Sequence, residues 1–542
     1  MLVQALQRKP RAPGVSIARV PPRLKPRASM GAPFDAAGQG RRAAGWVTTR
    51  LGLNTLLFSS GETLLSRARD SVRNNPYAAT AIDSYVSNAI STGIRLQSQH
   101  PDLDIQKQIM QAWGRWVKES DVEYEPANVS SGQTNFYGQQ ALALREVVEA
   151  GEVFARFVNR PYEDRLSVPL QLQLIESEQL PLYRNSPGTQ IPDGNTLRMG
   201  IEYRPDGRRE AYHFYKAHPY ETMFYPQSGL EIDRIPATDV LHVYKQVRVG
   251  QMRGMPWMAS VLATLYEIDQ YQDAEIVRKK TAAMLTFFIT KTTPEGQILP
   301  ESTDGQYFTP PQPGAPYDPM SAISKLEPGT GQVLFPGEDV KFTQPTQDGD
   351  FPTAIEVGLR AFAAGAGITY EQLGDLSKVN YSSIRAGLIE FRRKCEQFQH
   401  LTFIFQFCHP VFRRWLREAV ISGALDLPGF HDDPSPYEDV RWITPGWPWV
   451  DPLKDMQAST LAVRGGFSSR AQVVSEQGLD VGVIDAENAA DNDRTKQMGL
   501  IYDSNATVVL SSHEQLTGIS PKSDQEAEQE GAADEGGAAD TE

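Results

Sequence analysis

Apolar positions recur at helical spacing over residues 62–92, where Leu64, Leu65, Ala68 and Val72 share one face, followed by Ala79, Ile82, Val86 and Ile90. Pro76 divides the run into two helices, because proline has no N–H to continue the ladder, and Gly93 ends the second. Residues 104–120, with Trp113 and Trp116, and residues 136–150 read as further amphipathic helices. From Val153 the period changes to two. The runs FARFVNR, LQLQLIE, LRMGIEYR, EAYHFYK and DVLHVYK predict strands, and Asp206-Gly207 inside YRPDGR marks a hairpin turn. Residues 51–254 therefore predict an α+β unit.

Arg253-Gly254-Met255-Pro256 reads as a loop that opens a helix, and no further Gly or Pro occurs until Pro294. Met258, Val261, Leu262, Leu265 and Ile268 keep three- and four-residue steps. The spacing predicts a helix over 255–290, of about 35 residues and roughly 50 Å. Residues 291–351 are rich in Pro and Gly with short strand-like pieces, and predict a small module inserted between helices. A second helix, 352–370, is rich in Ala and Gly, which permits close backbone approach but needs outside support. Residues 371–383 predict a polar loop. Ile384, Leu388, Phe391, Cys395, Phe398, Thr402, Phe405, His409, Phe412 and Leu416 then alternate steps of four and three, predicting a heptad helix over 384–422 that Pro410 should kink. Arg392, Arg393, Lys394, Arg413, Arg414 and Arg417 surround its other side, as a solvated face or as a contact surface. Shorter helices are expected over 423–500.

Charge is segregated at the two ends. Residues 1–50 hold ten basic residues against Asp35 alone and are expected to be a disordered basic arm. Its prolines argue against an organelle-targeting helix, and it lacks the apolar stretch of a secretory signal. Residues 501–542 close on an acidic stretch without bases, expected to be disordered as well. The whole chain carries a formal net charge of −14, which argues against a protein whose task is to grip nucleic acid. Two cysteines, Cys395 and Cys408, are too few for a disulfide framework or a thiolate metal site. No apolar run approaches 18 residues, so no membrane span is expected.

The chain lacks a phosphate-binding G-x-x-x-x-G-K-[ST] loop, a G-x-S-x-G elbow and an H-E-x-x-H pair. Cys408-His409 points its side chains to different helix faces and reads as packing. Glu176 and Glu178 read as a solvated strand edge rather than an acid/base pair. The expectation is a protein that is not an enzyme and takes no cofactor or metal.

Seven collinear stretches carry a resemblance. They are ARDSVRNNPYAATAIDSYVSNAISTGIR (68–95), EVVEAGEVFARF (146–157), LQLQLIESEQLP (ending at 181), VLHVYKQVRVGQMRGMPWMASVLATL (240–265), YQDAEIVRKKTAAMLTFFI (271–289), AGAGITYEQLGDLSKVNYSSIRAGLIEFRR (364–393) and GWPWVDPLKDMQA (446–458). In this order they resemble the lambda-type portal family of tailed bacteriophages, over residues from about 60 to 490; the basic arm and the acidic tail lie outside the resemblance.

The resemblance implies an α+β portal fold with a wing, a long-helix stem, an inserted α/β clip and a helical crown, assembled as a closed ring of roughly twelve copies with head-to-tail interfaces. It implies a head–tail connector at one capsid vertex of the virion. Double-stranded DNA would be packaged and ejected through it, without sequence preference. Residues 51–254 correspond to the wing, 255–290 and 352–370 to the stem helices, 291–351 to the clip, 371–383 to the tunnel loop, 384–422 to the kinked helix and 423–500 to C-terminal wing and crown helices. Implied channel residues are Ser377, Lys378, Asn380 and Tyr381, with Arg278, Lys279 and Lys280 on the stem. Clip residues Glu295, Glu301, Tyr307, Lys325 and Glu327 would dock the terminase large subunit and later the head-completion and tail connector proteins. Arg385, Arg392, Arg393, Arg413 and Arg414 would contact neighbouring subunits. Capsid and scaffold proteins are further implied partners, head assembly would be nucleated by the ring, and assembly is expected in the bacterial host cytoplasm. A head–tail adaptor or minor capsid protein is the alternative, while an enzyme of the assembly pathway or a coiled-coil DNA-binding protein fits the sequence less well.

Overall fold

The computed structural model describes residues 48–125, 132–186, 191–221, 223, 231–284, 289–290, 333–334, 351–374, 381–447 and 452–500. Most of the predicted basic arm, the clip interior and the acidic tail lie outside these residues. So do Ser377, Lys378 and Asn380 of the tunnel loop and Glu295, Glu301, Tyr307, Lys325 and Glu327 of the clip.

The chain opens with α1 (Leu53–Asn74) and α2 (Pro76–Ala89). Asn75 separates them in an extended conformation, and its side chain accepts hydrogen bonds from the Tyr77 and Ala78 amides, with Pro76 at the first helical position. β1 (Arg95–Ser98), α3 (Leu103–Trp116), α4 (Phe136–Glu149), β2 (Glu152–Asn159) and β3 (Leu170–Ile175) follow. The predicted run LRMGIEYR is two strands, not one: β4 (Thr196–Arg198) and β5 (Ile201–Tyr203) form a hairpin in which Met199 and Gly200 both take positive φ, at 49° and 81°. β6 (Arg209–Tyr215) joins β5 across the predicted Asp206-Gly207 turn, and β7 (Ile232–Pro236) and β8 (Val240–Tyr244) complete the set.

Two sheets result, a three-stranded one in the order β3-β2-β8 and a four-stranded one in the order β4-β5-β6-β7, both antiparallel. β2 is buried on both faces. Val153, Ala155 and Phe157 join the large core made with the helices, while Phe154 points into a smaller core between the sheets with Ile175, Ile201, Tyr212, Phe214 and Ile235.

α5 spans Leu262–Met284, so the helix predicted over 255–290 is shorter at both ends. Pro256 is extended, a 3-10 turn occupies Trp257–Ser260, and Ile289–Thr290 is a strand, β9, paired parallel to β10 (Val333–Leu334). The run Leu-Thr-Phe-Phe-Ile-Thr that ends the predicted helix is rich in β-branched and aromatic residues, which accounts for the change of state. α6 (Phe351–Ala366) packs through its glycines against α5 and the residue just before it: a Cβ on Gly358 would lie 3.0 Å from Ile268 of α5, and one on Gly365 would lie 2.0 Å from Cγ1 of Val261. The close approach expected of an Ala/Gly-rich helix is present. Gly367, at φ +83°, ends α6.

The predicted polar loop 371–383 begins as a 3-10 turn, Tyr370–Leu373, closed by a reciprocal Thr369–Gln372 capping box, and α7 already starts at Tyr381 (Tyr381–Phe398). The heptad helix is then interrupted. Gln399–Cys408 is a π-helix, and α8 (His409–Ile421) follows it. Pro410 has no N–H, and in an α-helix its ring would clash with the carbonyl four residues back. In the wider winding the His409 amide instead reaches the carbonyl of Ile404, five residues back. The extra residue shifts the buried stripe. Phe398 and Phe403, a five-residue step apart, are both buried, with Phe407 and Val411 beyond, whereas Phe405, expected inside, is 73% exposed.

α9 (Ser435–Glu438), β11 (Val440–Ile443), α10 (Pro452–Arg464), α11 (Arg470–Glu476) and α12 (Val481–Met498) complete the described chain. β11 pairs antiparallel with β1, returning the C-terminal segment to the N-terminal helices. The large core centres on Trp113, Trp116, Phe136, Phe412 and Trp415, with ring centroids 4.9–6.3 Å apart where they meet.

Gly151 (φ +98°) sits where the two sheets meet the start of α5, and a Cβ there would lie 2.2 Å from the Met255 carbonyl carbon. Gly207 has a similar φ, +86°, but open space around it. Gly151→Ala should therefore cost about 3 kcal/mol, combining backbone strain with overpacking. Gly207→Ala should cost only about 1 kcal/mol, from the left-handed backbone alone. Urea unfolding of the two variants checks the difference, and equal losses would contradict the close approach.

Candidate functional site

A buried ionic network ties the strands to the start of α5. Glu152, the first residue of β2, and Arg253 both have side chains almost wholly out of solvent, and their ion-pair contact is 2.6 Å. Arg253 donates from Nε to Glu152 Oε1 at 2.7 Å and from its terminal nitrogens to the carbonyls of Leu180 and Met199, both at 3.0 Å, and of Ser177 at 3.3 Å. Glu152 accepts in addition from the Ser177 hydroxyl at 2.9 Å and the Gly254 amide at 2.5 Å, and pairs with His242 Nε2 at 2.9 Å. Buried charges of this kind persist only when their hydrogen-bonding capacity is met. Each turn that Arg253 holds is one that the strand pattern alone leaves loose.

The electrostatics are one-sided. Burial opposes ionisation of Glu152, but Arg253 and His242 outweigh it and hold its carboxyl well below the usual range. His242 is pushed down to about 4 by burial, against the pull of Glu152 and with the help of Arg209 and Arg253. It is neutral at pH 7, so its Nε2–H donates to Glu152 and its Nδ1 accepts from Arg209 at 3.2 Å. A second lock lies nearby on α1 and α4, where Arg69 binds Glu146 at 2.5 Å, Glu178 at 3.0 Å and Glu149 at 3.1 Å. Burial pushes Glu146 up to about 7, against the pull of Arg69 and with Glu178 and Glu176 adding to the rise. In the four-stranded sheet Glu202 accepts from Arg234, His213 and Asn195, and the Arg234 hydrogen bonds lead in holding it down at about 2.

Glu176 and Glu178 are placed otherwise than expected. They flank Ser177 in a 3-10 turn after β3, and Glu178 is held by Arg69. Glu176, Glu178 and His218 bring one ligand atom each within 4.8 Å of one another, but His218 pairs with Glu176 at 3.5 Å and Glu178 with Arg69, so ion pairing already accounts for the group. Burial pushes the Cys395 thiol up to about 12 and that of Cys408 well above its ordinary range, so neither side chain is a thiolate at neutral pH. Among the described residues no helix is long and apolar enough to cross a membrane.

The residues nominated from sequence fall into two groups. Arg278 and Lys279 reach Glu275 on α5, at 2.6 and 3.6 Å, and Lys279 lies 5.1 Å over the Phe351 ring, while Lys280 is exposed. Arg413 pairs with Glu438 at 2.7 Å, and Arg414 with Glu418 at 3.0 Å and Asp239 at 3.4 Å, so both are engaged within their own chain. Arg392 stacks 5.2 Å over Trp447. Arg385 and Arg393 are exposed on α7, and Tyr381 begins that helix. Sequence reasoning missed Glu152, Arg253 and His242; the available signal was an isolated charge beside a glycine at each end of the contact, Gly151-Glu152 and Arg253-Gly254.

Glu152→Gln should lower stability by about 3–5 kcal/mol, because it strands the Arg253 charge. The pH dependence has a definite sign. The folded-state pKa of His242 is below its ordinary value of 6.5, so the unfolded chain binds the proton first. The stability that neutral His242 contributes is fully present above about pH 6.5 and is lost as pH falls toward 4. The depressed carboxyl of Glu152 contributes above its own ordinary value and is lost only in stronger acid. Denaturation midpoints measured between pH 7 and 4 should fall more steeply for the unaltered chain than for His242→Gln, and parallel curves would contradict the assignment.

A sequence model described as "Phage portal protein, lambda family" matches residues 39–399. The "Probable portal protein" of Halomonas phage phiHAP-1 is 26% identical over 461 residues, covering 82% of this chain and 83% of the relative. "Portal protein B" of Escherichia phage lambda is 24% identical over 494 residues, covering 86% and 90%. The "Portal protein" of Escherichia phage N15 is 24% identical, covering 85% and 90%. Among solved structures, a chain from the "Neck of native GTA particle computed with C12 symmetry" has a TM-score of 0.35 at 14% identity, covering 78% of this chain and 93% of that one. With a family match across two thirds of its length, this chain belongs to the lambda family of phage portal proteins.

Proposed function

We propose that the chain is the subunit of a closed portal ring at one vertex of a phage capsid, through which double-stranded DNA is packaged and later ejected. The observation that carries this reading is the match of the portal family over residues 39–399, with relatives aligned over more than four-fifths of the chain. In this assignment residues 51–254 form the wing, α5 and α6 the stem, 291–351 the clip, the segment before α7 the tunnel loop, α7 to α8 the helix that leads to the crown, and 423–500 the C-terminal helices. The role is a conduit, not catalysis. The clip residues Glu295, Glu301, Tyr307, Lys325 and Glu327 would take the terminase large subunit and then the head-completion and tail proteins. Capsid and scaffold proteins would meet the wing, with assembly in the host cytoplasm nucleated by the ring.

Physical chemistry supports a conduit. Each phosphate neutralised adds salt-dependent affinity, so a channel that must pass any sequence both ways is served by few free cations. The net charge of −14 and the pairing of Arg278 with Glu275 fit that requirement. The α5–α6 pair, packed through Gly358, with Gly365 against the residue just before α5, would supply a stiff wall.

Electron microscopy and mass determination of the purified chain, with scaffold if needed, test the assembly. Rings of roughly twelve copies around an open channel are expected, and a compact dimer without a channel would overturn the reading. Within the ring, Lys378→Ala should lower packaged-genome retention while leaving the subunit number unchanged. Unchanged packaging and retention would remove Lys378 and its loop from the channel.

A further inference from the structure

We propose that the short turn after β3 is a proton-sensitive joint: Glu176, Ser177 and Glu178 tie the ionic lock at Arg69 to the lock at Arg253, and a proton held at Glu146 keeps the joint closed. All three residues of the turn are engaged. Glu178 receives Arg69 Nε at 3.0 Å, and Glu176 lies 3.5 Å from His218 Nε2. Ser177, between them, faces both locks at once. Its amide donates to Glu146 Oε1 at 3.4 Å, its hydroxyl donates to Glu152 Oε1 at 2.9 Å, and its carbonyl accepts from Arg253 at 3.3 Å. Arg253 also holds the Leu180 carbonyl just beyond the turn, and Glu152 holds the Gly254 amide before α5. A displacement of the turn on the Arg69 side therefore moves the groups that fix the root of α5.

Charge at the Arg69 end does not balance. Arg69 of α1 faces Glu146 and Glu149 of α4 and Glu178 of the turn, and these three side chains are only 11–12% exposed. Arg145, the cation on α4, lies 2.6 Å from Asp83 of α2 and 4.0 Å from Glu149, so it answers Asp83 first. Asp70 of α1 is paired with Arg73. Tyr220 bonds Glu62 through its hydroxyl and brings no charge, and Glu176 has His218 beside it. Three largely buried carboxylates around one guanidinium leave excess negative charge where water screens it poorly, and uptake of a proton relieves it. Burial first, then Glu178 and Glu176, push Glu146 up to about 7 against the pull of Arg69. When Glu146 ionises, three anions crowd Arg69 and repel the turn that carries Glu178 and Ser177. The sign follows. The folded-state carboxyl titrates above its ordinary value of 4.5, so the closed joint binds the proton more tightly than the open chain does. Its contribution is fully present below about pH 4.5 and is lost as pH rises through about 7, opposite in sign to that of His242.

Amide hydrogen exchange in the full chain, corrected for its intrinsic dependence on pH, reads the joint at both ends. Protection of residues 177–180 and 252–254 should fall about tenfold together between about pH 6 and about pH 8 in the unaltered chain. Glu146→Gln, which mimics the protonated side chain, should hold protection at its pH 6 level throughout, and His218→Gln should leave the response as it is. An ordinary ion-pair network gives the opposite: protection that holds or rises toward pH 8, and a Glu146→Gln variant less protected at every pH. That result overturns the joint. A fall confined to 177–180, with 252–254 unmoved, overturns it too, because the turn then transmits nothing. A response lost in His218→Gln assigns the switch to His218 and removes Glu146 from it. Infrared difference spectra of the unaltered chain give a second reading that needs no variant to fold. A carboxylic-acid C=O band should be present at about pH 6 and gone by about pH 8, and its absence at the lower pH would show Glu146 already ionised and end the proposal.

Discussion

The contact between Arg253 and Glu152 governs how the strand-rich part of the chain meets its long helices. It lies beside a crossing of two glycines, where a Cβ on Gly254 would meet the Gly151 carbonyl oxygen at 2.2 Å and one on Gly151 would meet Met255. Two backbones so close leave no room for side chains at the crossing, so alignment falls to the residues on either side. Arg253 performs it with one guanidinium shared among a carboxylate and three carbonyls. Those carbonyls belong to the turn after β3 and to the β4–β5 hairpin, so one side chain fixes two turns and the root of α5. An ammonium group has three donors and no planar fork, so lysine could not reproduce this. The arrangement is costly to desolvate and offers little net stability over an apolar substitute. What it provides is a single geometry at the place where the rod-like helices leave the sheets.

The π-helical stretch answers a different constraint. Pro410 stands within an otherwise continuous helix, and the chain accommodates it by widening the winding from Gln399 to Cys408 instead of stopping. The cost is a one-residue shift in the buried stripe. Its consequence is that Phe403, Phe407 and Phe412 all reach the aromatic core around Trp113 and Phe136, while Phe405 and Leu401 are turned outward. Tyr85 adds a tie between the helices: its hydroxyl donates to the Ala366 carbonyl at the end of α6, and its ring packs on Trp257 and Phe391.

The elements that could be read from the sequence are those whose pattern is local. Asn75-Pro76 announces a helix start in two residues, and the alternation of β2 and β3 survives because each face meets its own core. The heptad of α7 and α8 was legible as a helix but not in phase, since a π insertion leaves no compositional mark and only the position of Pro410 hints at it. The β4–β5 hairpin was hidden because Met199 holds a backbone conformation that methionine seldom adopts, supported there by Asn185, whose side chain accepts from the Met199 amide. β11 is four residues long and is a strand only because β1 lies beside it. The ionic locks were hard to read for the same reason: Glu152 and Arg253 are 101 residues apart, and the glycine beside each charge hints at a close approach without naming the partner. Of the nominated contact residues, Arg413 and Arg414 read from the sequence as part of a basic face, but Glu438, Glu418 and Asp239 of the same chain lie opposite them.

An acidic chain can carry long basic helices and still serve as a conduit where those bases are neutralised within the chain. A helix row such as Arg413, Arg414 and Arg417 would hold a polyanion if it were free. Here Glu438 faces both Arg413 and Arg417, and Arg414 sits between Glu418 and Asp239, so the row is neutralised from an adjoining helix and from the turn before β8. The same device operates at Arg69, where three carboxylates surround one guanidinium. Internal neutralisation turns cations into structural fasteners and removes them from the field that a passing polyanion would meet. Other helix cations, Arg67, Lys107 and Lys280 among them, are exposed without such a carboxylate among the described residues, so the device is confined to the rows that pack against a second element.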